Sequence, residues 1–557
     1  MNSMTTTSPR TLIDELLEEQ QQLTAVDRFS RKHDAGLPAQ ARYYQSLIPK
    51  TKPGPGQQYA FAVDLDACTG CKACVSACHS LNGLDEEETW RSVGILHDIS
   101  PEEPYLQTVT TACHHCVEPG CLEGCPVMAY DKDPETGIVR HLDDQCIGCQ
   151  YCVLKCPYDV PKYSEKKGIV RKCDMCTNRL AIGEAPACVQ ACPTRAIRID
   201  LVDKAEVSRT LAPGSKLVPG AFNSSYTKPT TRYHTTRPMP KGTRPGDADA
   251  LHLEHAHWPL IGMLLLTQMG VGLFAVLAFC AFAPSAVFEA IKAPLAIGGF
   301  VSLQAGLAVS VLHLGRPMGA WRFFLGLRTS WMSREILVFG LLGGLSAAAA
   351  ATGGWNLLVH YLPVLHIVEK WIQPGQYAAL CAAATALTGM AGIYCSAMIY
   401  IDTRRPFWSA ENTFPRFFGS SVLLGSTAAT AILAWNCDGM SGVRTVVIVS
   451  VLAATLFRTA LFSWETRNFA LSIGSPDAPA HQSWLTIWKL RPALVFMLAR
   501  LFALSIAFGL IGLTGESLPS AILVTASFAL TAAAQLIERY LYFTASAGPR
   551  MPGGIPS

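Results

Sequence analysis

The chain has 557 residues, half of them apolar and only 16% charged, with a formal net charge of +3. That balance excludes a polybasic nucleic-acid binder, and a mean hydropathy of +0.25 is high for a protein living wholly in water. The averages hide a division: residues 1–250 hold most of the Cys, Pro and charge, and residues 258–545 hold nearly all the long apolar runs. Two or three domains fit this length, a water-soluble head followed by a membrane part.

The first segment, residues 1–57, reads as an N-terminal extension. It has no apolar core of signal-peptide type and no twin-arginine pair. Leu12, Ile13, Leu16, Leu17, Leu23, Val26 and Phe29 recur at helical spacing and predict an amphipathic helix over 11–29. Such a helix packs either on its own domain or on a partner.

Residues 58–201 carry sixteen of the twenty cysteines in four sets. They are Cys68, Cys71, Cys74, Cys78; Cys113, Cys116, Cys121, Cys125; Cys146, Cys149, Cys152, Cys156; and Cys173, Cys176, Cys188, Cys192. The first and third sets have the spacing C-x2-C-x2-C-x3-C of bacterial ferredoxins. Three thiolates two residues apart let one tight loop wrap three corners of an iron–sulfur cube, and the fourth points to a neighbouring cube. Pro126, Pro157 and Pro193 follow three of the fourth cysteines, and proline fixes the turn leaving the cluster. Zinc sites use two Cys pairs across a spacer, and a disulfide scaffold belongs to a small secreted domain; neither suits these sets. Cys280, Cys381, Cys395 and Cys437 are scattered in or beside apolar segments and read as ordinary thiols. Short strand-prone pieces at 59–65, 137–143 and 196–201 flank the loops, which suits an α+β ferredoxin-like head.

The stretch from Phe61 to Ile197 resembles the iron–sulfur subunits of the dimethyl sulfoxide reductase and polysulfide reductase class. The phrases DKDPETGIVRHLDDQCIGCQYCVLKCPYDVPKY, RKCDMCTNRL and GEAPACVQACPTRAI carry the resemblance. With all sixteen cysteines present, it implies four [4Fe–4S] clusters. It also implies the pairing of sets, outer with outer and inner with inner. Cys68, Cys71, Cys74 and Cys192 then hold one cluster, and Cys78, Cys173, Cys176 and Cys188 its neighbour. Cys113, Cys116, Cys121 and Cys156 hold a third, and Cys125, Cys146, Cys149 and Cys152 the fourth.

Residues 202–257 form a Pro/Thr-rich linker; 202–250 contain eight Lys or Arg and four acids. From Trp258 onward, apolar runs of bilayer length recur. They predict eight helices, near 258–282, 293–313, 336–352, 377–401, 417–435, 443–462, 493–513 and 519–543, an anchor spanning 258–545. Eight spans put the head and the C-terminus on one face. Loops on that face carry eleven basic residues: Arg316, Arg322, Arg328, Arg334, Arg404, Arg405, Arg416, Arg467, Lys489, Arg491 and Arg550. Opposite loops carry three: Lys292, Lys370 and Arg444. The excess predicts a cytoplasmic head on the inner membrane.

LHLGRP (312–317), SREI (333–336) and IERYLYF (537–543) are similar to the eight-helix membrane subunit of dimethyl sulfoxide reductase. The resemblance implies menaquinol oxidation in the membrane half and a partner subunit with a bis-molybdopterin cofactor. His313 ends the second span and Glu335 begins the third. Histidine and carboxylate take protons near neutral pH, so both are candidate proton acceptors or quinol ligands, with Arg316 and Arg334 as orienting charges. Arg458 and Arg500 are candidate partners for Glu538. The membrane-half histidines (His252, His255, His257, His313, His360, His366 and His481) avoid mid-span positions, which argues against haem. Expected, then, is a quinol-oxidising electron-transfer and anchor subunit serving a separate molybdopterin reductase, with nitrate among the candidate substrates. Reverse flow from a molybdopterin dehydrogenase to quinone, a coupled redox pump and a free carrier are the alternatives.

Overall fold

The computed structural model describes residues 11–21, 41–100, 104–211, 213–248, 253–282, 285–369, 371–436, 480–514 and 518–553, with isolated positions at 24, 27, 30–31, 250–251 and between 449 and 471. Among the described residues, the head is built on two three-stranded sheets and two hairpins. Strand β1 (Gln57–Asp64) is central in the first sheet, and six of its residues in succession are buried, the pattern of a strand covered on both faces. It pairs antiparallel with β8 (Ile197–Asp203), with Phe61 opposite Ile199. On its other edge it pairs parallel with β9 (Arg232–His234). The second sheet joins β2 (Ser92–Asp98), β3 (Tyr105–Thr111) and β10 (Arg244–Pro245). The hairpins are β4 (Tyr130–Lys132) with β5 (Val139–His141), and β6 (Lys162–Ser164) with β7 (Ile169–Arg171).

Both β9 and β10 come from the linker, so that segment is ordered along the head. Its threonines are the reason. Thr230 donates to the His114 carbonyl at 2.7 Å, and Thr231 bonds the His114 ring at 2.8 Å. Residues from the far end of the chain also return to the head. The Ile95 amide donates to the Gly553 carbonyl (3.1 Å), Arg550 pairs with Asp247 (2.9 Å) and Met551 is buried in the head core. Helix α1 (Leu12–Gln21) forms within the predicted 11–29, and Leu12, Ile13, Leu16 and Leu17 are exposed. Leu23, Val26 and Phe29 lie outside the described residues. A second helix, α2 (Ala73–Asn82), carries Cys74 and Cys78.

Among the described residues, seven helices are long and apolar enough to cross a membrane. They are α3 (Trp258–Cys280), α4 (Ser285–Ser310), α5 (Trp331–Gly353), α6 (Ala378–Ile401), α7 (Ala410–Asn436), α8 (Pro492–Thr514) and α9 (Leu518–Thr544). Most of the expected span 443–462 falls outside the described residues, as do His252, Lys370, Cys437, Arg444 and Arg458. In α3 and α7, 61% and 78% of the apolar window is buried, against 17% in α8, so α3 and α7 form the middle of the bundle. A β-carbon at Gly272 of α3 would stand 2.7 Å from the Gly425 Cα of α7. Small residues at such a crossing let two backbones touch, the usual packing inside a bilayer.

Candidate functional site

All four cysteine loops share one backbone kink. Two residues after the first cysteine of each set, the chain adopts positive φ: Gly70 (+72°), His115 (+41°), Gly148 (+69°) and Met175 (+59°). The kink turns amides inward. His115, Gly148 and Met175 donate their N–H to the Sγ of Cys113, Cys146 and Cys173 at 3.4–3.5 Å. The Cys-Pro turns repeat a second device, with positive φ three residues past the cysteine at Met128, Asp159 and Arg195. The next amide then reaches back: Ala129 to Cys125 and Ala196 to Cys192, each at 3.2 Å. Sulfur ringed by N–H donors is a setting for thiolate.

The loops bring the cysteines together in fours. Cys68, Cys71, Cys74 and Cys192 line one small cavity, and Cys113, Cys116, Cys121 and Cys156 line another. Cys78 has Cys188 and Cys176 as neighbours, and Cys173 has Cys78 and Cys176. Cys125, Cys146, Cys149 and Cys152 neighbour one another. Burial pushes the Cys78 and Cys156 thiols up to about 12, and Cys125 and Cys176 to about 11. Buried thiols at such values are protonated on their own, and a bound metal centre is what deprotonates a coordinating thiol outright. The amide donors and the four-sulfur grouping fit an iron–sulfur cluster in each set.

The third loop sits on the anchor. Gly148, Gly168 and Gly315 meet backbone to backbone: a β-carbon at Gly148 would lie 3.0 Å from the Gly315 Cα. Arg316 N–H donates to the Ile147 carbonyl and Gly326 N–H to the Pro126 carbonyl, both at 3.0 Å. Ser330 Oγ donates to the Gly124 carbonyl at 2.7 Å, and Lys155 pairs with Asp402 at 2.6 Å. So LHLGRP is a docking phrase for the head.

Beneath that contact is a cavity of about 310 Å³, within the usual range for a small-molecule site. Cys149, Gln150 and Tyr151 of the head close one side, and the ends of α3, α4, α5, α6 and α9 form the rest. Most of the wall is apolar. Its polar groups include Glu254, His255, His257, His313, Glu335 and Tyr400. The His313 Nδ1 bonds the Ser310 carbonyl. A carbonyl only accepts, so Nδ1 carries the hydrogen and Nε2 keeps its lone pair. That Nε2 is buried and has no hydrogen-bond partner among the described residues. Glu335 is buried on α5 and accepts a hydrogen bond from the Ser396 hydroxyl of α6. The His255 and His257 rings lie 5.2 Å apart. Burial, with His255 and His313 nearby, pushes His257 down to about 4, so it is neutral at pH 7.

Arg316 and Arg334 do not line this cavity. Arg316 donates to the Asp143 carbonyl at 2.9 Å. Arg334 donates to the Leu327 and Arg328 carbonyls (3.2 and 2.8 Å) and lies 4.4 Å above the Trp331 ring. Both arginines hold loops. The expected pairing of Glu538 with Arg500 is also not formed. Arg500 is exposed, and Glu538 instead pairs with Arg416 of α7, with Arg539 at 3.9 Å. Sequence reasoning missed His255, His257 and Tyr400 as cavity groups. The signal for the two histidines was their place in HAHW, one turn from the first span.

A cysteine-loop head seated on apolar helices, with a cavity at the join, defines a membrane-anchored iron–sulfur electron-transfer protein. Residues 105–201 match the family described as a 4Fe-4S dicluster domain, and residues 251–544 match the DMSO reductase anchor subunit (DmsC). The second match spans more than half of the chain, and the chain belongs to that anchor family, with an iron–sulfur head on the same polypeptide. The head is 37% identical over 159 residues to the B polypeptide of anaerobic dimethyl sulfoxide reductase from Escherichia coli (strain K12), covering 26% of this chain and 75% of that one. It is 38% identical over 158 residues to thiosulfate reductase electron transfer subunit PhsB of Salmonella typhi, covering 27% and 80%. A 185-residue stretch is 36% identical to hydrogenase-2 operon protein HybA of Escherichia coli O157:H7, covering 28% and 56%. The protein is thus an electron-transfer subunit of a dimethyl sulfoxide reductase-type oxidoreductase, multi-pass in its membrane half.

Proposed function

We propose that this chain oxidises quinol at the cavity between head and anchor and delivers the electrons to a separate molybdopterin-containing reductase. The observation that carries this is the cavity itself, lined both by the Cys149 loop of the head and by His313 and Glu335 of the anchor. A quinol losing two electrons must release two protons. The bare His313 Nε2 takes one from a quinol hydroxyl, and Glu335 takes the other, held in place by Ser396. The apolar wall accepts the quinol ring and keeps water from the join.

The four cysteine sets hold [4Fe–4S] clusters in this reading, and those clusters supply one-electron transfer when bound. The sets follow one another through the head. Cys121 and Cys125 both flank Tyr130, Cys113 neighbours Cys173, and Cys74 neighbours Cys188. At the far end Cys71 is exposed, a place for a partner to take electrons. The division proposed is extension 1–57, cluster head 58–201, linker 202–257 and anchor 258–545. We place the head on the cytoplasmic side of the inner membrane, from the excess of basic residues on its face. Arg405 and Arg416 of that excess, and Lys292 opposite, are buried in the protein, and the remaining nine outnumber the remaining two.

The test is a pair of variants in membranes holding the whole complex. His313→Ala and Glu335→Gln should each lose quinol-dependent reduction while keeping full iron content. Full quinol oxidation in both would overturn the assignment.

A further inference from the structure

Of the four cations buried among the head's described residues, Lys155 and Arg171 are ion-paired with Asp402 and Glu88, which leaves Arg91 and Lys172. Arg91 is 2% exposed and Lys172 3% exposed. Among the described residues neither makes an ion pair. Arg91 donates to the Thr110 hydroxyl at 3.2 Å, and that hydroxyl lies 3.5 Å from the Cys74 Sγ. Its guanidinium lies 4.7 Å from the Phe61 ring centroid, and its thiol neighbours are Cys188, Cys74, Cys173 and Cys78. Arg91 therefore stands between the set ending in Cys192 and the set ending in Cys188. Lys172 lines the cavity of Cys113, Cys116, Cys121 and Cys156. Its Nζ also donates to the Cys173 carbonyl at 2.8 Å and to the Val139 carbonyl. Lys172 stands one gap further in.

The gap closest to the membrane differs. Its buried bridging group is the neutral phenol of Tyr130, beside Cys152, Cys121 and Cys125. His141, on the same set, is paired with the Asp143 carboxylate at 2.8 Å, so that pair adds no net positive charge. Asp174, the acid beside Lys172, is only half-buried and tied to the Cys176 N–H at 2.9 Å, where solvent screens it. Lys132 adds to the outer cations, donating to the Cys116 and Val117 carbonyls at 2.9 and 2.8 Å.

We infer that Arg91 and Lys172 are positioning charges for electron transfer: each favours the reduced, more negative state of the clusters on either side of it, and together they draw electrons away from the membrane cavity toward Cys71. A buried charge acts through low dielectric, where its field on a neighbouring redox centre is strong. This deepens the proposed function by giving flow a direction, and it rests on the reading that the four sets hold clusters.

The experiment is a redox titration, followed by electron paramagnetic resonance, of membranes containing the full complex. In Arg91→Met and Lys172→Met the reduced-to-oxidised ratio of the flanking clusters should fall at least tenfold at fixed ambient potential, 59 mV for one electron. Arg91→Lys should restore most of the shift, and Tyr130→Phe should give none. If a Met variant does not assemble, Arg91→Gln and Lys172→Gln remove the charge, keep a donor and carry the same expectation. Unchanged potentials in assembled charge-removed variants overturn the inference, as would an equal drop in Tyr130→Phe. Failure of the quinol assignment is separable, because His313→Ala should leave all four potentials in place.

Discussion

Gly315→Ala is the smallest change that tests how head and anchor meet. A β-carbon at Gly315 would lie 2.7 Å from the Gly168 carbonyl carbon and 2.8 Å from the Tyr163 hydroxyl. Ordinary carbon contacts stand near 3.5–4.0 Å, so the overlap is about 1 Å. The atom in the way is backbone of a tight turn with Gly168 at φ +66°, and it has no rotamer to turn aside. The head must lift, and overpacking of this kind costs about 1–3 kcal/mol. The cavity wall carrying Cys149 lifts with it. A misplacement of about 1 Å in a reacting geometry can lower a rate by about 10²-fold. The expected result is a 10- to 100-fold loss of quinol-dependent turnover. Iron content should stay full, and activity with a reduced dye that feeds the partner directly should be unchanged. A Gly315→Ala variant within about twofold of the parent in quinol turnover would refute the claim that this contact sets the cavity.

Glu538→Gln should take from buried Arg416 the nearer of its two counter-charges, with Glu465 left at 3.7 Å, a loss of about 1–3 kcal/mol, read as a lowered unfolding temperature in detergent; Arg500→Ala, at an exposed site, should fall within about 0.5 kcal/mol of the parent. Met551→Ala should cost about 2–5 kcal/mol by emptying its place in the head core, and limited proteolysis should then cut sooner in residues 213–248. His257 is held at about 4 in the fold, below its usual value near 6.5, so the unfolded state binds more protons between those two values. Stability should therefore fall as pH drops from about 6.5 toward 4, and His257→Gln should flatten that slope in a melting series.

The gathering of the head's sixteen cysteines was legible because their spacing is local, and a loop that wraps three thiols needs nothing from elsewhere in the chain. The spans were legible for a similar reason: a bilayer demands length and apolarity, and α3, α6 and α9 begin and end within two residues of where the apolar runs put them. His313 and Glu335 stood out as ionisable groups at helix ends. What stayed hidden depends on partners far away in sequence. Arg316 and Arg334 look like free orienting charges until the carbonyls of Asp143, Leu327 and Arg328 are in place. Tyr400 reads as one more apolar-face aromatic of α6, and only the converging ends of five helices make it a cavity wall. The linker reads as irregular because strand β9 exists only where β1 offers it an edge.

Joining head and anchor in one polypeptide changes what holds the cavity together. The linker passes along the head as β9 and β10 before entering α3, and after α9 the chain comes back to bury Met551 in the head core. The head is thus tied on both sides of the membrane half in sequence, while LHLGRP and Asp402 grip the third cysteine loop between those ties. Contacts within one chain form at a high effective concentration. A contact of glycines and carbonyls then suffices to hold Cys149 at the cavity that His313 and Glu335 also line. The precision of the join comes from the close backbone approach, and its permanence from the chain.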